Sequence, residues 1–473
     1  MGSPLFFRAY LPLLNIREAR ANYGVLEKCG IPVIKPTLFL GSEPNLHNTV
    51  LHLADIERFK KYGPIWGSYY GRMPHIYITE PDLIRRIFVK DFDHFKDRQD
   101  MELGGEMLNE IMEFQKGEKW KQIRTFLSPL FTTSKLKQMS TVIAECAQEF
   151  IRDLRKECEN STNGGVKIHC RNRFTTCLID MFVRTMFGIK IEDGKNPGNT
   201  FGKAFREMLH EEHEYNWLFT LTQNTIKSRI ESGSSSTKGF LDLLCDFWKR
   251  IEAGEYSELG ITQTTQCIAQ GVLFIVGGYE TTSYALSHLF WRIANNPEIQ
   301  EKMHVELKQA ISCHNTHSID HELINDSNIP YILACINETL RLYPSVYRPE
   351  RICTKDWSYN GISIKKGTCV MLASWAANRN PKFYQDNPEV FKPERFLPEN
   401  KGTLEPYAFT TFGFGPRNCI GMRFAYESMK LFVCNIVNNF RIELRPDTEL
   451  KYKPASPISI AIDPLYLDFV PRR

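Results

Sequence analysis

The residues from Phe409 to Lys430 read FTTFGFGPRNCIGMRFAYESMK, a single cysteine collared by glycines and a proline ahead of a helical run. A thiol that only fills core space needs no such setting. Glycine lets backbone N–H groups come close to a neighbouring atom, because no Cβ intervenes. Donors of that kind, with the positive end of a helix starting near Ile420, stabilise a sulfur anion and tune its electron donation. A thiolate is a metal ligand, and coordination itself strips the proton. The chemistry implied at Cys419 is that of a buried anionic sulfur on a metal, with Phe412 shielding one side from water. A packed free thiol is the plainer reading, and the collar argues against it.

Phe412, Gly415, Arg417, Cys419 and Gly421 spell F-x-x-G-x-R-x-C-x-G, which five fixed residues match by chance in roughly one chain of this length in ten thousand. The run resembles the haem-binding loop of the cytochrome P-450 superfamily, the haem-thiolate monooxygenases. That resemblance implies heme as cofactor (haem b, iron protoporphyrin IX), with Cys419 as the iron ligand. A thiolate ligand pushes electron density onto the iron and favours O–O cleavage.

Further stretches are similar to the family's other motifs. NETLRLYP puts Glu338 and Arg341 three residues apart on one helical face, and FKPERF supplies Arg395. By resemblance these form a structural glutamate–arginine–arginine cluster behind the haem loop. Gly277-Gly278-Tyr279-Glu280-Thr281-Thr282 is similar to the family's oxygen-binding segment, which makes Glu280 and Thr281 the proton-delivering pair. The Thr281 hydroxyl can bond back to the Gly277 carbonyl four residues earlier and loosen the ladder there. Arginine forks pair well with carboxylates, so Arg417 is the first candidate for a haem propionate. Trp120 and Arg124 in WKQIR resemble the family's propionate-holding helix, and Arg98 and Arg351 stand where the xenobiotic-oxidising branch has propionate contacts. Val276, Gly277, Val346 and Tyr347 are expected to line an apolar pocket with a phenol handle.

The resemblance covers nearly the whole chain and is closest to the animal microsomal drug- and xenobiotic-oxidising branch. It implies insertion of one oxygen atom of O2 into an apolar small molecule, with electrons from an NADPH-dependent flavoprotein reductase and cytochrome b5 as an additional partner. The basic residues Lys116, Lys119, Lys121, Lys135, Lys137 and Lys430 would meet the acidic flavoprotein. It also implies peripheral attachment to the cytosolic face of the endoplasmic reticulum membrane. Two rival readings keep the haem: a reductase-independent isomerase or lyase acting on a peroxide, and a sensor or carrier without turnover. Relatives of the first kind tend to lose the acid–threonine pair, which this chain keeps.

Three departures from the pattern stand out. The family's membrane-spanning anchor is not seen in this sequence. The stretch from about Thr200 to Gln263 is short, and Asn378 stands where a histidine is usual beside the arginine cluster.

The elements that position these residues read as a mainly α fold with minor β-sheets, the haem lying between a long central helix and the cysteine loop. Apolar residues at three- and four-residue steps predict helices over Arg124–Arg155, Thr200–Ile230 and Asp320–Leu342. Ile261–Ala294 holds no proline and would span roughly 50 Å at 1.5 Å per residue. Its adjacent glycines, Gly277 and Gly278, cost about 1 kcal/mol each in a helix interior, so something should compensate. Ile65–Thr79 and Trp357–Leu372 read as strands, the second carrying the hairpin signal Asn360-Gly361.

Two short Gly/Ser-rich stretches, Asn160–Gly165 and Ser232–Lys238, read as surface loops, which favours one unit. The expected organisation is an atypical segment 1–28 with peripheral membrane contact, then a single haem-thiolate domain 29–473. In the first segment Leu5, Phe6, Phe7, Leu11, Leu13 and Leu14 are flanked by Arg8, Arg17 and Arg20. Arg8 and Pro12 break any run of about 20 apolar residues, the length needed to span a bilayer. A net charge of +4 gives no support for nucleic acid as a partner. Thirteen cysteines without a Cys-x-x-Cys pair suit neither a disulfide framework nor a zinc ribbon, and fit a reducing compartment. The histidines of His210–His213 are three apart, the wrong spacing for a helical zinc motif.

Overall fold

The structure, a computed structural model, describes residues 18, 20–100, 108–162, 164–190, 216–233, 239–316, 318–454 and 460–472. The amino-terminal apolar patch, the His210–His213 stretch and residues 200–215 of the short segment lie outside the described residues. Among the described residues ten helices have eleven or more residues. They are α1 (Leu51–Tyr62), α2 (Gly117–Leu127), α3 (Thr133–Glu159), α4 (Cys170–Phe187), α5 (Asn216–Ser232), α6 (Phe240–Glu252), α7 (Thr265–Ala294), α8 (Pro297–Cys313), α9 (Pro330–Leu342) and α10 (Met422–Asn439). No described helix is long and apolar enough to cross a membrane.

The long central helix is α7, thirty residues and so about 45 Å. It is apolar nearly all round, as expected of a helix wrapped by others, and it packs against α4, α5, α6, α8, α9 and α10. One hydrophobic core runs from Leu51 to Phe469 around it. A second core lies under the strands, with Phe88, Phe95, Trp357 and Val370.

The expected helix over Arg124–Arg155 is two helices. Pro129 sits in a 3-10 turn, Ser128–Phe131, and Thr132 is extended before α3 begins. The expected helix over Asp320–Leu342 begins only at Pro330, because the residue before a proline avoids helical geometry, and Ile329 does so at φ −132°, ψ 49°.

Both strand regions form. β1 (Ile65–Tyr70) and β2 (Met73–Ile78) make an antiparallel hairpin, and β3 (Val166–His169) joins a separate small sheet. β4 (Glu350–Ile352) and β7 (Cys369–Leu372) extend the hairpin into a sheet ordered β1-β2-β7-β4, with β2 and β7 parallel. β5 (Trp357–Tyr359) and β6 (Ile362–Ile364) turn at Asn360 and Gly361. Both turn residues have positive φ, 49° and 81°, the geometry a two-residue type I′ hairpin requires.

Candidate haem site

Cys419 sits in a loop whose shape its glycines dictate. Gly413 and Gly415 have φ of 66° and 71°, left-handed geometry that side chains rarely adopt. At Gly415 a Cβ would also lie 1.9 Å from the Phe88 carbonyl oxygen. The loop is closed by the Cys419 N–H donating to the Phe412 carbonyl at 2.8 Å. The helix expected near Ile420 starts at Met422, capped by Gly421. The Phe412 ring lies 5.2 Å from that of Tyr426.

Cys419 is exposed by surface area, yet burial is the main force on its thiol and pushes it up to about 11. Both hold if the side chain looks onto an internal space enclosed by protein. The Glu113 carboxylate adds to the upward push, while the Gly421 N–H, Arg124 and Arg98 oppose it. By its surroundings alone the sulfur stays protonated at neutral pH; a coordinated metal is what removes the proton.

Three arginines from three chain segments gather beside this loop. An isolated bridge between Asp97 and Ile352 ties the 97–98 segment to the end of β4 and so brings Arg98 to Arg351. Arg417 comes from the loop itself, its guanidinium 4.1 Å from the centre of the Trp120 ring. Burial first and then the charge of Arg98 pull Arg417 down to about 10, and Arg351 is lowered by burial, Arg98 and Arg417. Arginine does not give up its proton in proteins, so these shifts measure how uneasily the positive charges share the site. Arg98 pairs with Glu113 at 2.8 Å, and Arg417 Nη2 donates to the Gln115 carbonyl at 2.7 Å. Even so, Nε of Arg98, Nε of Arg351, and Nε and Nη1 of Arg417 are buried without a hydrogen-bond partner. Four orphaned cationic N–H groups fit a ligand that brings carboxylates, and haem brings two.

Arg124 has a different partner from the one expected. It donates to the Asn418 carbonyl at 2.8 Å and to Asn418 Oδ1 at 2.9 Å, which clamps the residue before the cysteine to α2. Trp120, expected to hold a propionate, stacks its ring against the Arg417 guanidinium.

On α7 the two glycines have separate uses. A Cβ on Gly278 would fall 2.0 Å from the ring of Phe182, so α4 packs where that side chain would be. This close packing is the compensation a glycine pair needs. Gly277 is exposed and would meet only Leu273, at 3.8 Å. The Phe182 ring in turn lies 5.0 Å from that of Phe424 in the first turn of α10, which brings the middle of α7 to the cysteine loop. The Thr281 hydroxyl donates to the Gly277 carbonyl at 2.9 Å. Glu280 is one third exposed and pairs with Arg171 at 2.9 Å, a partner with no signal in the sequence beyond its charge.

Behind the loop, Glu338 accepts from Arg341 Nε and Nη2, each at 2.7 Å, with both side chains fully buried. The Lys392 N–H donates to the same carboxylate at 2.9 Å. Arg395 Nε stands 3.7 Å from it while its Nη2 donates to the Asp386 and Asn387 carbonyls. Asn378 completes the cluster: Arg341 Nη1 donates to its carbonyl at 2.8 Å, its Nδ2 donates to the Arg341 carbonyl at 2.9 Å, and its Oδ1 accepts from Thr410.

One expectation needs correction. Tyr347 is 2% exposed, its ring 5.7 Å from that of His52, so it packs in the core and offers no phenol to a ligand. Val276 is half-buried and Val346 exposed, as pocket-lining residues can be. The lysines expected as a charged face are mostly paired: Lys116 with Asp100, Lys119 with Glu110, Lys121 with Glu118, Lys137 with Glu322 and Lys430 with Asp326.

Comparison with protein families matches this chain to cytochrome P450 over residues 31–228 and 213–469. Cytochrome P450 3A5 of Homo sapiens is 32% identical, covering 97% of this chain and 96% of that protein. Cytochrome P450 3A16 of Mus musculus is 31% identical, covering 99% and 96%. Lithocholate 6-beta-hydroxylase of Mesocricetus auratus is 32% identical, covering 93% and 92%.

Proposed function

The chain belongs to the cytochrome P450 family, and from that premise we propose that Cys419 is its haem ligand, with Arg98, Arg351 and Arg417 receiving the propionates. Membership makes the protein a haem-binding monooxygenase, an oxidoreductase that uses a redox partner and acts on apolar substrates. The observation that carries the site assignment is the set of orphaned N–H groups on those three arginines. A buried donor without a partner costs roughly 1–3 kcal/mol, and two carboxylates would relieve several at once.

Bound haem supplies the activation of dioxygen, which the thiolate ligand favours. The protein's own groups manage water, protons and orientation. Thr281 presents its hydroxyl oxygen to the site while its proton is held by the Gly277 carbonyl. Glu280, partly exposed and bridged to Arg171, is placed to pass protons from solvent toward Thr281. Val276, Gly277 and Val346 give the substrate an apolar wall. Arg124 fixes Asn418, and Trp120 fixes Arg417, so the loop keeps its shape as the ligand enters.

Electrons come from an NADPH-dependent flavoprotein reductase, with cytochrome b5 as an additional donor. Residues 29–473 act as one haem-binding unit, attached peripherally to the cytosolic face of the endoplasmic reticulum through the amino-terminal segment. The relative named lithocholate 6-beta-hydroxylase makes rigid, apolar carbon skeletons the first compounds to try.

Purified holoprotein should show the thiolate-type band in a reduced, carbon monoxide difference spectrum, and form product only with added reductase and NADPH. Thr281→Val should keep the band and consume NADPH with much less product. Turnover of a peroxide without any reductant would instead favour the isomerase or lyase reading.

A further inference from the structure

Two of the paired lysines are held by one short segment of the same chain. Between α8 and α9 the acidic stretch Asp320–Asp326, DHELIND, lies against α3 and α10. It is pinned from within: His321 Nδ1 is 2.7 Å from Glu427 Oε1 on α10, and the same oxygen accepts the Ser140 hydroxyl of α3 at 2.6 Å. Glu427 is buried, so this anchor is interior.

From the anchor two carboxylates reach outward. Glu322 meets Lys137 at 2.5 Å and Asp326 meets Lys430 at 2.9 Å. Both carboxylates are about 70% exposed, whereas the Lys430 side chain is only 10% exposed and shows its charge at one spot, which Asp326 covers. Lys430 lies eight residues into α10, about 12 Å along the axis from the cysteine loop. With Cys419 as the haem ligand, a donor docked at the cysteine-loop end of α10 comes close to the iron, and electron transfer weakens steeply with distance.

The geometry points to Asp320–Asp326 acting as an intramolecular acidic cover that competes with an acidic electron-donor protein for Lys137 and Lys430. The inference rests on the reading of Cys419 as haem ligand and of a flavoprotein as donor. A partner's carboxylates take over both lysines while the His321–Glu427–Ser140 anchor holds the segment in place. The exchange swaps like for like, one exposed carboxylate for another on each lysine, and exposed carboxylates of this kind individually contribute little. Charges of this kind govern encounter rate and salt dependence more than the final contact. The cover therefore sets how strongly ionic strength and an acidic partner's charge control docking.

The test compares the haem-loaded full chain with its Glu322→Gln/Asp326→Asn variant, using two probes: an NADPH-dependent flavoprotein reductase and a polyglutamate peptide. Both should bind the variant about three- to tenfold tighter at low ionic strength, with the gap closing near 0.5 M salt, roughly where screening is complete. Adding Lys137→Gln and Lys430→Gln should abolish the gain. Should the double variant lose its carbon monoxide band, Glu322→Gln alone carries the same test at Lys137. Unchanged or weaker polyglutamate binding overturns the cover, whatever the reductase does. Tighter polyglutamate binding with no reductase binding at any salt keeps the cover and sinks the flavoprotein reading.

Discussion

Two buried arginine clusters flank the cysteine loop, and they differ in whether the protein answers its own charge. In the first, Arg341 donates through all three nitrogens, to Glu338 and Asn378, the carboxylate also receives the Lys392 N–H, and the one unmet donor, Arg395 Nε, still faces the Glu338 carboxylate at 3.7 Å. In the second, Arg98, Arg351 and Arg417 lean on one another and leave four N–H groups unmet. A closed network of buried ions holds a fold together. One whose buried N–H groups go unmet marks where something else must bind, because an unpartnered buried donor on a cation is expensive to keep.

That contrast can be broken at several points. Cys419→Ala has the largest expected effect: the thiolate-type carbon monoxide band and all reductase-dependent product should vanish, and a surviving band would detach the open cluster from haem altogether. Glu338→Gln should come next, lowering stability by about 3–5 kcal/mol in denaturant unfolding whether or not haem is present, since it leaves Arg341 buried without its counter-charge.

Arg417→Gln sharpens the comparison because its sign should depend on the ligand. Without haem the variant should be as stable as the parent or more so, having lost a buried cation crowded by Arg98 and answered only at a distance, by Asp97 at 3.7 Å. Haem affinity, read by transfer of haem to an acceptor protein, should fall by about 1.5–3 kcal/mol, the worth of a hydrogen bond to a charged group. Equal destabilisation with and without haem would make the two clusters alike.

The smallest effect concerns a third buried site. His52 is pushed down to about 3, chiefly by burial and then by Arg379. The folded protein keeps the ring neutral, while the unfolded chain takes up a proton below about 6.5. Stability should therefore be lost as pH falls from about 6.5 toward 3. His52→Phe keeps a ring against Trp375 and removes that proton, so near pH 7 it should change little. At pH 5 thermal unfolding should show an advantage of up to about 2 kcal/mol.

What could be read in the sequence was whatever the chain keeps close together. The glycine collar of Cys419, the three-residue step from Glu338 to Arg341 and the four-residue step from Gly277 to Thr281 are local spacings, and local spacing survives folding. Asn360-Gly361 was legible for the same reason. The rest depends on distant segments meeting. Nothing near Glu280 in sequence announces Arg171, and nothing near Lys430 announces Asp326. Val346 and Tyr347 are neighbours in the chain, yet the valine is exposed and the tyrosine buried in the core. Arg124 and Arg98 both looked available for a carboxylate; only packing shows the first committed to Asn418 and the second still holding an unmet donor. Pro129 and Pro330 are plain in the sequence, but a long apolar rhythm runs through both: the first breaks a helix with a 3-10 turn and the second fixes where one begins.

The missing side chain at Gly278 has a consequence for how this enzyme could change. Because the Phe182 ring occupies that place, the central helix cannot turn about its own axis without colliding with α4. The angle at which α7 presents Gly277, Glu280 and Thr281 is thus set by Phe182, which packs against Gly278 and Phe424. Size changes at position 182 are a remote dial on the reacting groups, and variants of altered regiochemistry should be sought there as well as along the pocket wall.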